Sequence, residues 1–208
     1  MKIINQDLTK FSTIRTKSLA EYYCEPRSIS ELKEAIKFKN SKNLSTIILG
    51  NGSNILFSKD YYDNILFIKL SGDFNFFNIN KNNIEIGAGY SLKMAGKQLI
   101  KLGYQDFIFF NLIPATIGGA ITQNAGTGPK EEIKDVCLEI RVFDIENIKE
   151  LIFSNRECLF EYRNSIIKKS KGKYIVLSAR FSSKNITSDI DNLIFETKKR
   201  INEKANRE

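Results

Sequence analysis

Two glycine-rich stretches hold the residue types best suited to chemistry. One runs Ile47-Ile-Leu-Gly-Asn-Gly-Ser-Asn-Ile-Leu-Phe57, the other Leu112-Ile-Pro-Ala-Thr-Ile-Gly-Gly-Ala-Ile-Thr-Gln-Asn-Ala-Gly126. Each is an apolar run broken by glycines and small polar residues. Glycine lets main-chain N–H groups come close to a ligand, and successive N–H groups in such a turn form an anion-binding concavity. The pair points to a ligand carrying phosphates, held between two lobes. Each loop also has a plainer reading. Gly50-Asn-Gly-Ser-Asn54 is not the dinucleotide fingerprint, and alone it is equally a hairpin turn. Gly118-Gly119 equally permits tight helix packing, although Gln123, Asn124 and Gly126 add hydrogen-bonding groups that a packing turn does not need.

Composition narrows the chemistry. The chain has no histidine, which removes Ser-His-Asp and Cys-His catalysis and any histidyl-linked cofactor. Cys24, Cys137 and Cys158 are far apart and form no metal or redox motif, so they read as reduced core thiols of a cytosolic protein. Chemistry is left to Arg, Lys, Tyr, Ser, carboxylates or a cofactor. The net charge of +8 comes from lysines and arginines spread widely, denser only at Lys168 to Lys173 and Lys198 to Arg200. That suits an anionic small ligand or a solvated surface better than nucleic acid. No apolar run is long enough to cross a bilayer, and the start, Met1-Lys-Ile-Ile-Asn-Gln-Asp, has no signal-peptide core. The 208 residues make one large domain or two small lobes.

The elements that must position these loops follow from periodicity. Ser28-Ile-Ser-Glu31 is a capping box opening a helix to about Lys39. Strands are expected from Thr46 to Leu49, Ile65 to Leu70, Ile84 to Ala88, Val136 to Phe143 and Tyr174 to Phe181. Ser91 to Leu102 has helical spacing, with Gly103 as its C-terminal cap. Asn78 to Asn83 reads as a polar turn. Ile190, Leu193, Ile194, Thr197 and Ile201 share one face of a last helix. The result is a small βαβ-type lobe followed by a larger α+β lobe.

A third segment, Phe160-Glu-Tyr-Arg-Asn-Ser-Ile-Ile-Lys168, completes a set in order and approximate spacing. Together the three resemble the flavin-binding part of the MurB family, the UDP-N-acetylenolpyruvoylglucosamine reductases of bacterial cell-wall synthesis. That pattern runs Leu-Gly-x-Gly-Ser-Asn, then Ile-Pro-Gly-Thr-x-Gly-Gly-x-x-x-Gln/Met-Asn-x-Gly, then Tyr-Arg-x-Ser-x-Phe-Lys, and it covers about Phe11 to Phe181. The resemblance implies an α+β, two-lobe FAD-binding fold of the MurB/vanillyl-alcohol-oxidase type, with lobe 1 over 1–70 and lobe 2, ending in the last helix, over 71–208. It implies non-covalent FAD, with the diphosphate held by Gly50, Asn51, Gly52, Ser53 and Asn54. Ile113, Pro114, Thr116, Ile117, Gly118, Gly119, Gln123, Asn124 and Gly126 would lie along the flavin and its phosphates. NADPH is the implied electron donor and an enolpyruvyl UDP-sugar the implied substrate, in a cytoplasmic enzyme without nucleic-acid or membrane partners.

By the same resemblance Arg163 and Tyr162 are catalytic. A guanidinium is a permanent bidentate donor, able to hold a substrate carboxylate and to stabilise enolate-like charge as hydride arrives; Tyr162 would position the substrate. The plain alternative is a tyrosine beside a surface arginine. Some positions depart from the pattern: Ala115 replaces a glycine, Leu112 stands before Ile113 where glycine is common, and Thr127-Gly128-Pro129 replaces Ala-Tyr-Gly. The family also implies a third, substrate-binding domain with a proton-donating serine in an Ala-Gly-Ser-x-Phe-Lys-Asn-Pro-like motif. No such motif stands before Glu208, and Ser53 and Ser165 belong to other motifs. The expectation is a naturally short homologue or a piece lacking its last third, with a partner chain as one possible source of that domain. A flavin-binding module without catalysis of its own, or a flavin oxidoreductase with another substrate, are the alternatives.

Overall fold

Two β-sheets carry the fold in the computed structural model, which describes residues 1–80 and 83–206. The first contains β1 (Ile4–Asp7), β2 (Leu19–Cys24), β3 (Ser45–Ile48) and β4 (Tyr61–Ile68), in the order β1-β2-β4-β3. β2 and β3 both run parallel to the β4 between them, and β1 is antiparallel to β2. Parallel neighbours need a crossover, and helix α1 (Ile29–Ser41) links β2 to β3. Its start matches the expected capping box only in part. Ser28 Oγ accepts the Glu31 N–H, but the Glu31 carboxylate reaches the N–H of Arg27, one residue before the N-cap.

Side-chain alternation along β4 buries both faces of this sheet. Leu66 and Ile68 face Leu32, Ala35 and Ile36 of α1, whereas Phe67 joins Leu8, Tyr23, Leu49, Phe57 and Tyr62 on the opposite face. A strand buried on both sides reads as a continuous apolar run, which is why Ile65 to Leu70 is visible in the sequence.

Past β4 the chain forms β5 (Phe77–Asn80), β6 (Asn83–Gly87), α2 (Leu92–Lys101), α3 (Ile117–Thr122), β7 (Gly126–Gly128), β8 (Glu131–Glu132), α4 (Ile133–Val136), β9 (Cys137–Asp144), β10 (Lys149–Ser154), α5 (Ile166–Lys169), β11 (Tyr174–Phe181) and α6 (Ile190–Ala205). Five of these strands make an antiparallel sheet, β10-β9-β11-β6-β5. The polar turn expected over Asn78 to Asn83 is mostly strand, since β5 and β6 take its two ends; residues 81 and 82 lie outside the described residues. A 3-10 segment, Gln105–Leu112, packs its phenylalanines under this sheet, with Phe110 5.0 Å from Phe107 and 5.6 Å from Phe181 between ring centroids. One buried cluster runs from α1 and the first sheet through Ile84, Ile86, Ile140 and Leu177 of the second, so the two sheets share a core.

The three cysteines are buried in it and unbridged. Burial pushes the thiols of Cys24 and Cys158 up to about 12, and that of Cys137 higher still. Among the described residues no helix is long and apolar enough to cross a membrane, and no group of His, Cys, Asp or Glu is arranged to hold a metal ion.

Candidate functional site: a cleft between two glycine loops

The glycine loops meet where the two sheets join. Leu49 N–H still bonds the Ile68 carbonyl at 2.8 Å, and the chain then leaves the first sheet at Gly50. From Gly50 to Asn54 no main-chain N–H donates to any described residue, and the side chains of Asn51, Ser53 and Asn54 are equally uncommitted. All five residues line a cavity of about 340 Å³. A run of unpaired donors on a cavity wall is an anion cradle.

The far wall is α3, and it works differently. Thr116 caps it by accepting the Gly119 N–H at 3.3 Å, Ile117 N–H donates to Tyr90, and Gly118 N–H donates to Ala88, each of the latter at 2.9 Å. The donors at this helix start are spoken for, so the second loop offers shape where the first offers hydrogen bonds. The glycines differ likewise. Gly52 has φ +72°, and a Cβ there would sit 1.9 Å from the Phe11 carbonyl oxygen; it is glycine because its own chain passes behind it. A Cβ on Gly119 would meet only the Thr116 hydroxyl, at 3.4 Å, so this residue presents bare backbone to the cleft. A Cβ on Gly50 would touch that same hydroxyl at 2.8 Å, which is how closely the loops approach.

Thr116, Gly118, Gly119 and Gln123 line the cleft with Gly50 to Asn54. Ile113, Pro114, Gly126 and Arg163 line a second cavity, of about 580 Å³, together with Leu112, Arg200 and Lys204. Three expected residues lie on neither wall. Ile117 is fully buried in the core, and Asn124 is fully buried with its amide committed to Glu132, Glu161 and Lys134. Tyr162 is 81% exposed. Sequence reasoning missed Thr46, Lys69, Ala88, Gly89 and Gly172 on the cleft wall. They come singly from separate parts of the chain, and no local pattern marks them. Lys168, also on that wall, stood in the third motif without a role.

Tyr162 and Arg163 form the tip of a tight reversal in which Glu161 and Asn164 exchange both backbone hydrogen bonds, each 3.1 Å. Arg163 has φ +54°, a left-handed conformation that is uncommon for a residue with a side chain. Its guanidinium lies 5.6 Å from the Tyr162 ring centroid and has no ion-pair partner among the described residues. The other cations of this cavity are engaged. Arg200 makes a bidentate pair with Glu131, 2.7 Å on each arm, and Lys204 donates to the Leu112 carbonyl at 2.7 Å. The Arg200 hydrogen bonds hold the Glu131 carboxyl below its ordinary range, and Glu131 in turn raises Arg200. Arg163 is the guanidinium left able to take an incoming carboxylate.

FAD fits these residues. Its diphosphate needs donors, and the uncommitted Gly50–Asn54 N–H groups would supply them, with Lys69 on the same wall. Its rings need apolar walls and a few polar contacts. Ile48, Ile175 and Val176 provide the walls, and the Thr46 hydroxyl is buried there without a hydrogen-bond partner.

The fold and the paired loops define a cofactor-binding class, and the chain belongs to the FAD binding domain family, whose model matches residues 20–147. Among its relatives are the UDP-N-acetylenolpyruvoylglucosamine reductases of Clostridioides difficile, 37% identical over 85% of this chain and 56% of that protein, and of Francisella tularensis, 30% identical over 89% and 66%. These relatives bear out the resemblance to MurB. The chain spans between half and two thirds of their length. MurB from Thermus caldophilus superposes with a TM-score of 0.79 over 96% of this chain and 69% of that one, at 24% identity. BBE-like 1 of Physcomitrella patens gives 0.60 over 84% and 38%, at 16% identity. Both structural likenesses concern the fold, and they bear out the α+β FAD-binding architecture.

Proposed function

We propose that this chain is the FAD-binding part of a cytoplasmic reductase that takes electrons from NADPH and delivers them to the enolpyruvyl group of a UDP-sugar. The observation that carries the reading is the row of uncommitted N–H groups from Gly50 to Asn54, in a loop that lines the same cleft as the second glycine loop. FAD, when bound, supplies the hydride relay between the nicotinamide and the activated double bond. The protein's own share is position and charge. Gly50 to Asn54 hold the diphosphate, Thr116, Gly118, Gly119 and Gln123 shape the cleft, and Ile113, Pro114 and Gly126 face the substrate side. Arg163 grips the substrate carboxylate and stabilises the charge that develops next to it, with Tyr162 packed on its guanidinium. The lobe boundary near residue 70 belongs to the proposal, supported by one sheet ending at Ile68 and the next beginning at Phe77. So does an adjoining segment or partner chain that supplies the proton donor, as the relatives are longer than this chain.

The test has two stages. Purified protein should be yellow or take up FAD, and acid precipitation should release all the flavin. Anaerobic NADPH should then bleach the visible band, and the enolpyruvyl UDP-sugar should restore it. Uptake of FAD without bleaching favours a binding module. A protein that stays colourless and gives no fluorescence change with FAD ends the reading.

A further inference from the structure

Three successive residues of the second glycine loop each grip the segment that carries Arg163. The Thr122 carbonyl accepts the Ser165 hydroxyl at 2.9 Å, Gln123 Oε1 accepts Lys168 Nζ at 3.1 Å, and Asn124 Nδ2 donates to the Glu161 carbonyl at 3.0 Å. The first and last of these stitches involve fully buried side chains, Ser165 and Asn124. The middle one does not: Gln123 and Lys168 both line the cleft. The same Lys168 ammonium also donates to the Arg163 carbonyl at 3.1 Å. It therefore touches the wall of one cavity and the turn of the other.

That turn needs holding. Arg163 sits at φ +54°, where a residue with a side chain is strained. Glu161 at its base is steadied by Lys169 at 2.7 Å, whereas the Arg163 peptide itself is steadied by Lys168. An ammonium has three donors. Two are used here, and both bonds depend on where Gln123 and the lysine stem rest against the cleft. A ligand filling the cleft restricts both side chains.

We propose that Lys168 is a positioning residue that transmits occupancy of the cleft to the Arg163 turn, so that cofactor binding fixes the substrate-facing guanidinium before substrate arrives. The proposal rests on the reading of the cleft as the FAD site. It describes a coupling between two sites through one side chain, of the size such couplings usually have.

Hydrogen exchange of the Glu161 and Asn164 amides, measured on the full chain with and without saturating FAD, tests it without recourse to turnover. In the wild type FAD should slow exchange at the turn about tenfold. In Lys168→Met that slowing should fall below about threefold, while the FAD dissociation constant rises by less than about tenfold. Lys168→Arg, which keeps a charged donor, should restore most of the protection. Undiminished slowing in Lys168→Met would overturn the proposal, as would a larger loss of FAD affinity, which would make Lys168 a direct cofactor ligand. Normal FAD uptake with no slowing in the wild type would also overturn it and leave the FAD reading intact. A wild-type chain that takes up no FAD would remove both.

Discussion

Gly52 and Gly119 both line the cleft, yet a side chain at each has a different consequence. At Gly52 a Cβ collides with the Phe11 backbone and φ is positive, so Gly52→Val should destabilise the whole fold by about 3 kcal/mol. Loss of FAD in that variant would say nothing about the cradle. Gly119 is helical and open toward the cleft, so Gly119→Val should leave the melting temperature unchanged or slightly raised, since glycine is a poor helix former. Its FAD affinity should drop at least about tenfold, because the branched side chain occupies cofactor space. Isothermal titration beside a thermal melt separates the two; full FAD affinity in Gly119→Val would move the cofactor off this wall. Arg163 gives the complementary result. Arg163→Ala should keep its FAD and weaken substrate-dependent spectral change at least about a hundredfold. Arg163→Lys should recover little, for lack of the planar fork. An Arg163→Ala protein that purifies without FAD would assign the residue to the cofactor instead.

At the scale of elements, α6 is held across the second cavity by the Glu131–Arg200 pair and by Lys204 on the Leu112 carbonyl. Hydrogen bonding to Arg200 holds Glu131 below its ordinary 4.5. A carboxyl lowered in the folded state stabilises above its unfolded value and loses that contribution as pH falls through the folded one. The α6 contact should thus be complete above about pH 4.5 and weaken below it, by about 1 kcal/mol at most because the pair is partly solvated. Melts across pH 3 to 6 check this: Glu131→Gln should flatten part of the acid slope, and an unchanged slope would show the pair contributes nothing. Elements with a strong local signal were legible in advance. β11 spans the expected Tyr174 to Phe181, α6 carries Leu193 and Thr197 inward, and α2 stops before Gly103 at φ +83°. β2, β10 and the Gln105–Leu112 turn were not. β2 (Leu-Ala-Glu-Tyr-Tyr-Cys) packs on both faces and so shows no alternation, while Glu21 breaks the continuous apolar run that makes β4 visible, and Gln-Asp-Phe-Ile-Phe-Phe-Asn-Leu is apolar without a period. α3 is hidden because Ile-Gly-Gly-Ala-Ile-Thr looks like loop until Thr116 caps it. The site follows the same logic. The glycine loops stand out by composition, but Thr46, Lys69 and Gly172 join the wall only through tertiary packing, and Asn124 leaves it for the same reason.

For the whole molecule, the position of the cleft decides how cofactor and stability are linked. Its walls come from both sheets, Thr46 and Ile48 from the first and Tyr174 to Val176 from the second, and a single buried cluster continues between them. A ligand bridging such walls binds only when both are folded, so it stabilises the chain as one unit. At a hundred times its dissociation constant that stabilisation is about 2.7 kcal/mol. For a chain of this size each kcal/mol raises the melting temperature by about 2–4 °C. FAD at that concentration should therefore raise a single melting transition by about 5–10 °C. FMN and ADP, each carrying only part of the cofactor, should raise it less at the same concentration. The basic chain and anionic cofactor add a salt dependence, with the shift shrinking between low and high ionic strength as the charges are screened. Calorimetry reads all of these together. Two separate transitions, with FAD moving only one, would show that the cofactor rests on one sheet alone and that the wall formed by the other plays no part in holding it.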